Sequence, residues 1–235
     1  MRQTDSIIER PDMPNVEPGG LYVVGIGGTK RPNSRSETAL RRALHFAERL
    51  GARTHVIAGD DLPDQIYDPG SSERSREAKS MIAHLRRADV LVVSTPAYHG
   101  SVSGCIKNAL DYIEDMRSDT RPYLDGIPVA VISCAMGWQA GGATLAAMRS
   151  IVHSLRGWPT PLGVIVNTAT TTFGPDYACS DGGTDNQIRT MVEQAVRFAQ
   201  AMSGPSRWLP AAGDRGKWAD CALIENAGFP AHLSV

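Results

Sequence analysis

The chain has 235 residues, of which 42% are hydrophobic and 21% charged, a composition typical of one large or two small globular domains that build their own core. A formal net charge of −1 excludes the broadly basic surface that binds nucleic acid or anionic membranes non-specifically. Four cysteines are scattered without a CxxC pair, which excludes the common zinc and iron–sulfur motifs and favours reduced thiols in the cytoplasm, with no bound metal.

Residues 1–19 are polar, charged and rich in proline, and they predict a flexible N-terminal arm. A secretory signal would need an apolar segment there, which is lacking. No apolar run of 18 residues follows anywhere, so the sequence predicts no membrane partner.

Short apolar runs and helical patterns then alternate along the chain. The runs are rich in β-branched residues and do not alternate with polar ones, as expected of strands buried on both faces. They span residues 21–26, 54–58, 90–94, 127–133 and 162–167. Apolar residues at helical spacing follow each run, around residues 40–50, 78–85, 106–113, 145–155 and 184–202.

Two local signals mark the first helix: Ser34 and Glu37 fit a capping box at its start, and Gly51 fits its end. Strands alternating with helices through right-handed crossovers predict an α/β fold, a doubly wound five-stranded parallel sheet with helices on both faces. We expect one such domain over residues 20–204. Residues 205–235 form a C-terminal extension that could wrap the surface, join a dimer contact or stay partly loose.

The loop after the first strand, "GGTKRPNSRSE" (27–37), has the composition of a phosphate site. It does not fit the dinucleotide fingerprint, whose third glycine is replaced by Lys30, nor a Walker loop, which needs Thr or Ser after the Lys. Hydroxyls and one guanidinium running into a helix N-terminus suit a terminal phosphate monoester. The alternative is an ordinary connecting loop with a capping serine. The candidate ligands are Thr29, Arg31, Ser34 and Ser36.

The loop after the third strand carries Tyr98 and His99 between Pro96 and two glycines, Gly100 and Gly104. Proline and glycine favour a compact backbone whose amides face a planar heterocycle, with the tyrosine covering or edging it. Taken alone, His99 is also compatible with a surface or capping histidine.

The loop after the fourth strand, "SCAMGWQAGGA" (133–143), has three glycines, Gly137, Gly141 and Gly142, that let the chain pass close to a flat group before the next helix. Trp138 could stack on a ring or close the edge of the core. Cys134 is interpreted as a buried apolar residue because no nearby cation would activate a thiolate. No cysteine is followed by arginine in the C-x5-R spacing of small phosphatases.

These segments together resemble the flavodoxin-like NAD(P)H-dependent FMN reductases over about residues 20–200. The first loop is similar to the family's G-S-x-R-x-x-S-x-N signature, and "TPAYHGSVSGCIKNALDYI" (95–113) to its P-x-Y-x-x-S-x-P-G-x-x-K-N-A-x-D segment. The resemblance implies a flavodoxin-like fold. It places the FMN phosphate on Thr29, Arg31, Ser34 and Ser36, the isoalloxazine along Pro96, Ala97, Tyr98, His99, Gly100 and Ser101, and the far wall of the pocket at Cys134, Met136, Gly137, Gly141 and Gly142.

The resemblance also implies the reaction, in which hydride passes from NADPH or NADH through flavin N5 to a flavin, quinone or similar small acceptor. No catalytic side chain is required, although His99 could donate a proton. The family pattern usually has Ser at position 29, Asn at 36 and 99, and Glu at 97, and the change at His99 affects the substrate side.

Two alternatives stay open, a non-enzymatic flavodoxin-type electron carrier and an FMN-binding sensor. The near-neutral charge argues against the carrier, since carriers of that kind resemble strongly acidic proteins. Related proteins imply a homodimer or homotetramer, for which the predicted apolar surface near Ile113 and Met148 is the supporting observation.

Overall fold

A computed structural model describes residues 20–203, and the expected N-terminal arm and C-terminal extension lie outside them. The apolar runs form strands because their side chains fill two hydrophobic clusters, one on each face of the sheet. Within the described residues the strands are β1 Tyr22–Gly27, β2 Arg53–Ala58, β3 Val90–Tyr98, β4 Ser101–Val102, β5 Pro128–Ala135, β6 Trp158–Pro159 and β7 Val164–Asn167.

The parallel core of the sheet runs in the order β2-β1-β3-β5-β7. β1 lies between β2 and β3, with Val24 opposite His55 on one side and Leu91 on the other. β6 and β7 both pair with β5, at opposite ends of the same edge. The strand order reverses between β1 and β3, which is where ligands bind in open α/β sheets.

The helices cover both faces of the sheet, as predicted. α1 and α5 contribute to one hydrophobic cluster, whereas α2, α3 and α4 contribute to the other. Their bounds are α1 Arg35–Arg49, α2 Arg76–Leu85, α3 Gly104–Asp111, α4 Trp138–Ser154 and α5 Gly182–Ser203. None of the described helices is both long and apolar enough to cross a bilayer.

Three details differ from the sequence prediction. α4 begins at Trp138, so Gly141 and Gly142 lie inside the helix rather than in a loop before it. The two-residue strands β4 and β6 were not predicted. Ile113 and Met148 are fully buried in the core, so the apolar surface expected there for a partner subunit does not exist.

A stacked histidine pair lies between β2 and α2. The rings of His55 and His84 are nearly parallel, with centroids 3.6 Å apart. His84 Nδ1 lies 2.6 Å from the hydroxyl of Tyr22, whose ring is faced by Arg53 and Arg87. Burial is the main cause that lowers the pKa of His84 to about 4, with further lowering by His55 and Arg87. The surroundings therefore favour the neutral form of the His84 imidazole.

This pair predicts a loss of stability in acid that begins at a higher pH than the titration of carboxylates. In the unfolded chain His84 takes up a proton near its ordinary pKa of about 6.5, but in the folded protein only near 4. The unfolded state thus binds more protons in that window, and the free energy of unfolding falls as pH drops through it, by on the order of 1–2 kcal/mol after allowing for partial exposure. Urea unfolding at pH 7 and pH 4.5 measures the loss. His84→Gln should reduce it and His45→Gln, at a half-exposed position of α1 outside the pair, should not; equal losses in all three proteins would contradict the assignment.

Candidate functional site

A cleft of about 570 Å³ opens at the carboxyl ends of β1, β3 and β5, at the point where the strand order reverses. The loops that follow these three strands form most of its walls, and the loop after β7 adds one residue. Its lining consists of Thr29, Arg31, Asn33, Ser34, Arg35, Ser36, Pro96, Ala97, Tyr98, Cys134, Ala135, Met136, Gly137, Ala140 and Thr168.

The first loop folds back on itself immediately after β1. Gly28 has a φ of +85°, in the left-handed region, and a Cβ there would lie 3.1 Å from Ser34 Oγ. Thr29 Oγ1 accepts a hydrogen bond from the backbone N–H of Arg31 at 3.0 Å. The loop therefore enters α1 in a tight turn whose shape depends on glycine and on the Thr29 hydroxyl.

The start of α1 is capped as the sequence predicted, with one difference. Ser34 Oγ accepts from the backbone N–H of Glu37 at 3.3 Å. The Glu37 carboxylate accepts from the backbone N–H of Asn33 rather than from that of Ser34, and it is paired with Arg41 at 2.8 Å. The first two helical N–H groups, of Arg35 and Ser36, have no intrahelical partner by geometry. They are available to an anion in the cleft.

Three cations occur in this loop, and the structure gives them different tasks. Lys30 Nζ donates to the backbone oxygen of Leu62 at 2.6 Å, away from the lining of the cleft. Arg35 Nη1 donates to the backbone oxygen of Thr171 at 2.8 Å. For Arg31, which is exposed and lines the cleft, the described residues offer its guanidinium no hydrogen bond or ion pair. Within the described part of the chain, Arg31 is therefore the cation of this loop left free to bind a ligand.

The loop after β3 is a β-hairpin. Tyr98 pairs with Ser101, and the two residues between them, His99 and Gly100, have φ values of +52° and +83°. Positive φ at both central positions defines a type I′ turn, for which asparagine and glycine are the usual residues. Thr144 of α4 donates to the backbone oxygen of Ser101 at 3.1 Å, which fixes the hairpin against that helix.

The loop after β5 places Met136 and Gly137 at the cleft, and Trp138 as the first residue of α4. Trp138 is 63% exposed, so it does not close the edge of the core, which was one of the two alternatives. Cys134 is buried, and burial raises the pKa of its thiol to about 12. A thiol with that pKa is not a nucleophile near neutral pH.

The cleft unites residues from all three predicted loops but not every candidate. His99, Gly100 and Ser101 lie in the hairpin turn and its second strand, outside the lining, and Gly141 and Gly142 lie within α4. The lining residues missed by the sequence prediction are Asn33, Arg35, Ala135, Ala140 and Thr168. Thr168 directly follows β7, so applying the same rule on strand ends to the fifth strand would have found it.

Residues 21–171 match the protein family described as NADPH-dependent FMN reductase. An FMN-dependent NADPH-azoreductase of Staphylococcus haemolyticus is 35% identical over 181 residues, which cover 64% of this chain and 89% of the relative. An enzyme of the same name from Staphylococcus aureus is 32% identical over 199 residues, covering 76% of this chain and 94% of the relative.

Solved structures show the same fold. The flavoenzyme NAD(P)H:(acceptor) oxidoreductase FerB from Paracoccus denitrificans aligns with a TM-score of 0.65 at 19% identity, over 77% of this chain and 98% of that chain. The predicted flavodoxin-like fold is thereby confirmed. Because the relatives are FMN-dependent oxidoreductases that use NADPH, the enzyme hypothesis holds over the electron carrier. The chain belongs to the NADPH-dependent FMN reductase family.

Proposed function

We propose that the cleft binds FMN with its phosphate on the first loop and its ring between the hairpin and the loop after β5. The observation that carries this proposal is the combination in the cleft of Arg31, whose guanidinium has no partner among residues 20–203, with the open N–H groups of Arg35 and Ser36. The hydroxyls of Thr29 and Ser34 lie on the same loop, and the hydroxyl of Ser36 lies in the first turn of α1. This set of donors suits a dianionic phosphate.

The rest of the lining supports a flat, neutral ring system. Pro96, Ala97 and Tyr98 form one side, and Met136 and Gly137 form another. The described residues that line the cleft include no aspartate or glutamate, so none of them repels the phosphate. No group of three or more potential metal ligands occurs within residues 20–203.

The chemistry is divided between cofactor and protein. When bound, FMN supplies hydride transfer between a nicotinamide and an acceptor. The chain's own residues bind and orient: the first loop fixes the phosphate end, and the hairpin, held by Thr144, presents backbone groups toward the ring. The described residues that line the cleft include no acid–base pair, and the proposal assigns no catalytic side chain. His99 sits in an exposed turn, from which it would donate a proton only to an acceptor that projects out of the cleft.

For the acceptor we propose an aromatic molecule such as a quinone, an azo compound or free flavin. Three large apolar side chains near the cleft are exposed, Tyr98 by 53%, Met136 by 79% and Trp138 by 63%. Exposed aromatic and thioether groups beside an open cleft suit a planar apolar ligand. The two staphylococcal relatives are named as NADPH azoreductases, which supports NADPH over NADH as the reductant.

The same exposed side chains support a homodimer or homotetramer in which a second copy covers part of the cleft, since large apolar groups gathered in one place commonly mark an interface. Light scattering on the purified protein tests this, and a fully active monomer would contradict it.

We also propose the cytoplasm as the compartment. The free thiols of Cys105, Cys134 and Cys179 support it, because disulfides are rare there.

The function is tested by the absorption spectrum of the purified protein, followed by consumption of NADPH and NADH with FMN, a small quinone panel and an azo dye. Bound flavin and turnover with at least one acceptor are expected. Flavin binding without steady-state turnover of either nicotinamide would favour the sensor alternative. A protein that takes up no FMN would contradict the proposal.

We expect hydride transfer to need no cysteine. Cys134→Ala combined with Cys105→Ala should leave flavin reduction within a few-fold, because burial keeps the Cys134 thiol protonated. Stopped-flow reduction of the flavin-loaded double variant by NADPH measures the effect. A loss of several orders of magnitude in a folded, flavin-loaded protein would show that a thiol takes part.

A further inference from the structure

Residues 62–67, which follow β2 and are called the brace segment here, make hydrogen bonds to Lys30 of the first loop and to Asn108 of α3. At one end, the backbone oxygen of Leu62 accepts from Lys30 Nζ at 2.6 Å. Lys30 adjoins Thr29 in the first loop, residues 28–34, which is called the phosphate loop here. Leu62 is fully buried, so this end is anchored in the core. The ammonium thus ties the phosphate loop to a fixed point.

The other end of the brace segment is held by Asn108 of α3. Its Oδ1 accepts from the backbone N–H of Tyr67 at 2.9 Å, while its Nδ2 donates to the backbone oxygens of Gln65 at 2.8 Å and Pro63 at 3.3 Å. The hydroxyl of Tyr112 adds a donation to Gln65 at 3.1 Å. These three hydrogen bonds of the Asn108 amide all go to the brace segment. Asn108 itself lies in the segment 95–113 that resembles the family pattern.

α3 comes directly after the hairpin of residues 97–102, which is called the ring hairpin here. Ser103, its N-cap, accepts from the N–H of Ile106, and its own N–H donates to Thr95 of β3 at 3.1 Å. A continuous path thus runs from the phosphate loop through Lys30, the brace segment and Asn108 to the helix that carries the hairpin. Every step on this path is a hydrogen bond or a covalent link.

We propose that Lys30 and Asn108 are positioning residues that hold the phosphate loop and the ring hairpin at a set spacing through the brace segment. The proposal rests on the proposed function for the identity of the ligand, FMN. It assigns Lys30, the first cation of the loop, to the protein's own backbone rather than to the phosphate. The two residues then act in series, so releasing either end removes the effect of both.

A double-mutant cycle on FMN affinity separates this from direct phosphate binding. Lys30→Met and Asn108→Ala should each weaken FMN binding about five- to tenfold, and the double variant should be no more than about twofold weaker than the worse single variant. Lys107→Met is the matched control, because it removes an exposed ammonium next to Asn108 whose partner among the described residues is Asp111; it should change nothing. If the two losses multiply, or if Lys30→Met binds FMN normally, the proposal is wrong.

Amide hydrogen exchange of the flavin-free protein gives a second readout. Asn108→Ala should speed exchange in residues 28–34 several-fold, and Lys30→Met should do so at the Tyr67 N–H, with no change in Lys107→Met. Unchanged exchange at the far end in both variants would overturn the coupling. If Asn108→Ala does not fold, Tyr112→Phe, which removes one donor to Gln65, takes its place. If wild-type protein binds no FMN, the proposed function fails, yet exchange still decides whether the coupling exists.

Discussion

Arg31→Ala should weaken FMN binding about ten- to hundred-fold while leaving riboflavin binding nearly unchanged. A charge-assisted hydrogen bond to phosphate is worth about 1.5–3 kcal/mol, which corresponds to that loss of affinity. Riboflavin lacks the phosphate, so the ratio of the two affinities isolates the phosphate contact from general damage to the fold. Fluorescence quenching during titration with each flavin measures both.

Arg117→Ala is the matched control for Arg31→Ala. Arg117 is 69% exposed at the side chain and lies 3.6 Å from Glu114, outside the cleft. Its loss should alter neither affinity. Equal losses for both flavins in Arg31→Ala, or no loss for FMN, would mean that the first loop is only the connecting turn that its composition also allowed.

The hydroxyls of the same loop should contribute less. Neutral donors are worth about 0.5–1.5 kcal/mol each. Thr29→Ala also removes the acceptor of the Arg31 N–H, and Ser34→Ala removes the N-cap of α1. Both variants therefore mix a ligand effect with a loop effect, and only Arg31→Ala tests the phosphate contact cleanly.

The strands and helices could be predicted because their signals are local and strong. The five apolar runs became the parallel core of the sheet, and Ser34 and Gly51 mark the two ends of α1 in the structure. The hairpin could not be predicted in this way. Its second strand has two residues, and its type I′ turn contains His99 in place of the asparagine that would have signalled it.

Contacts between individual side chains were harder to predict than the proximity of whole segments. Three cations within six residues of the first loop look alike in sequence, and only the carbonyls of Leu62 and Thr171, distant along the chain, distinguish Lys30 and Arg35 from Arg31. The apolar spacing that includes Ile113 and Met148 identified a helix face but not what covers it. Both residues pack into the protein's own hydrophobic core.

Gly141 and Gly142, which the sequence placed in a loop and the structure places in α4, should change the stability in opposite directions when replaced by alanine. Two adjacent glycines normally indicate a loop, because each costs about 0.5–1 kcal/mol within a helix relative to alanine. A Cβ on Gly141 would overlap Ile165 Cγ2 of β7, whereas one on Gly142 would meet no atom within 4 Å. Close approach of α4 to the sheet thus requires glycine at the first position only.

Gly142→Ala should therefore raise the free energy of unfolding by about 0.5–1 kcal/mol, and Gly141→Ala should lower it by about 1–3 kcal/mol, the usual cost of overpacking. Urea unfolding of the flavin-free protein measures both, and there no ligand can account for the difference. Ile165→Ala should relieve the overlap. The double variant with Gly141→Ala should therefore lose less free energy of unfolding than the two single variants lose in sum. If instead Gly141→Ala is harmless without flavin but impairs flavin binding, the glycine is present for the ligand, as the sequence first suggested, and not for helix packing.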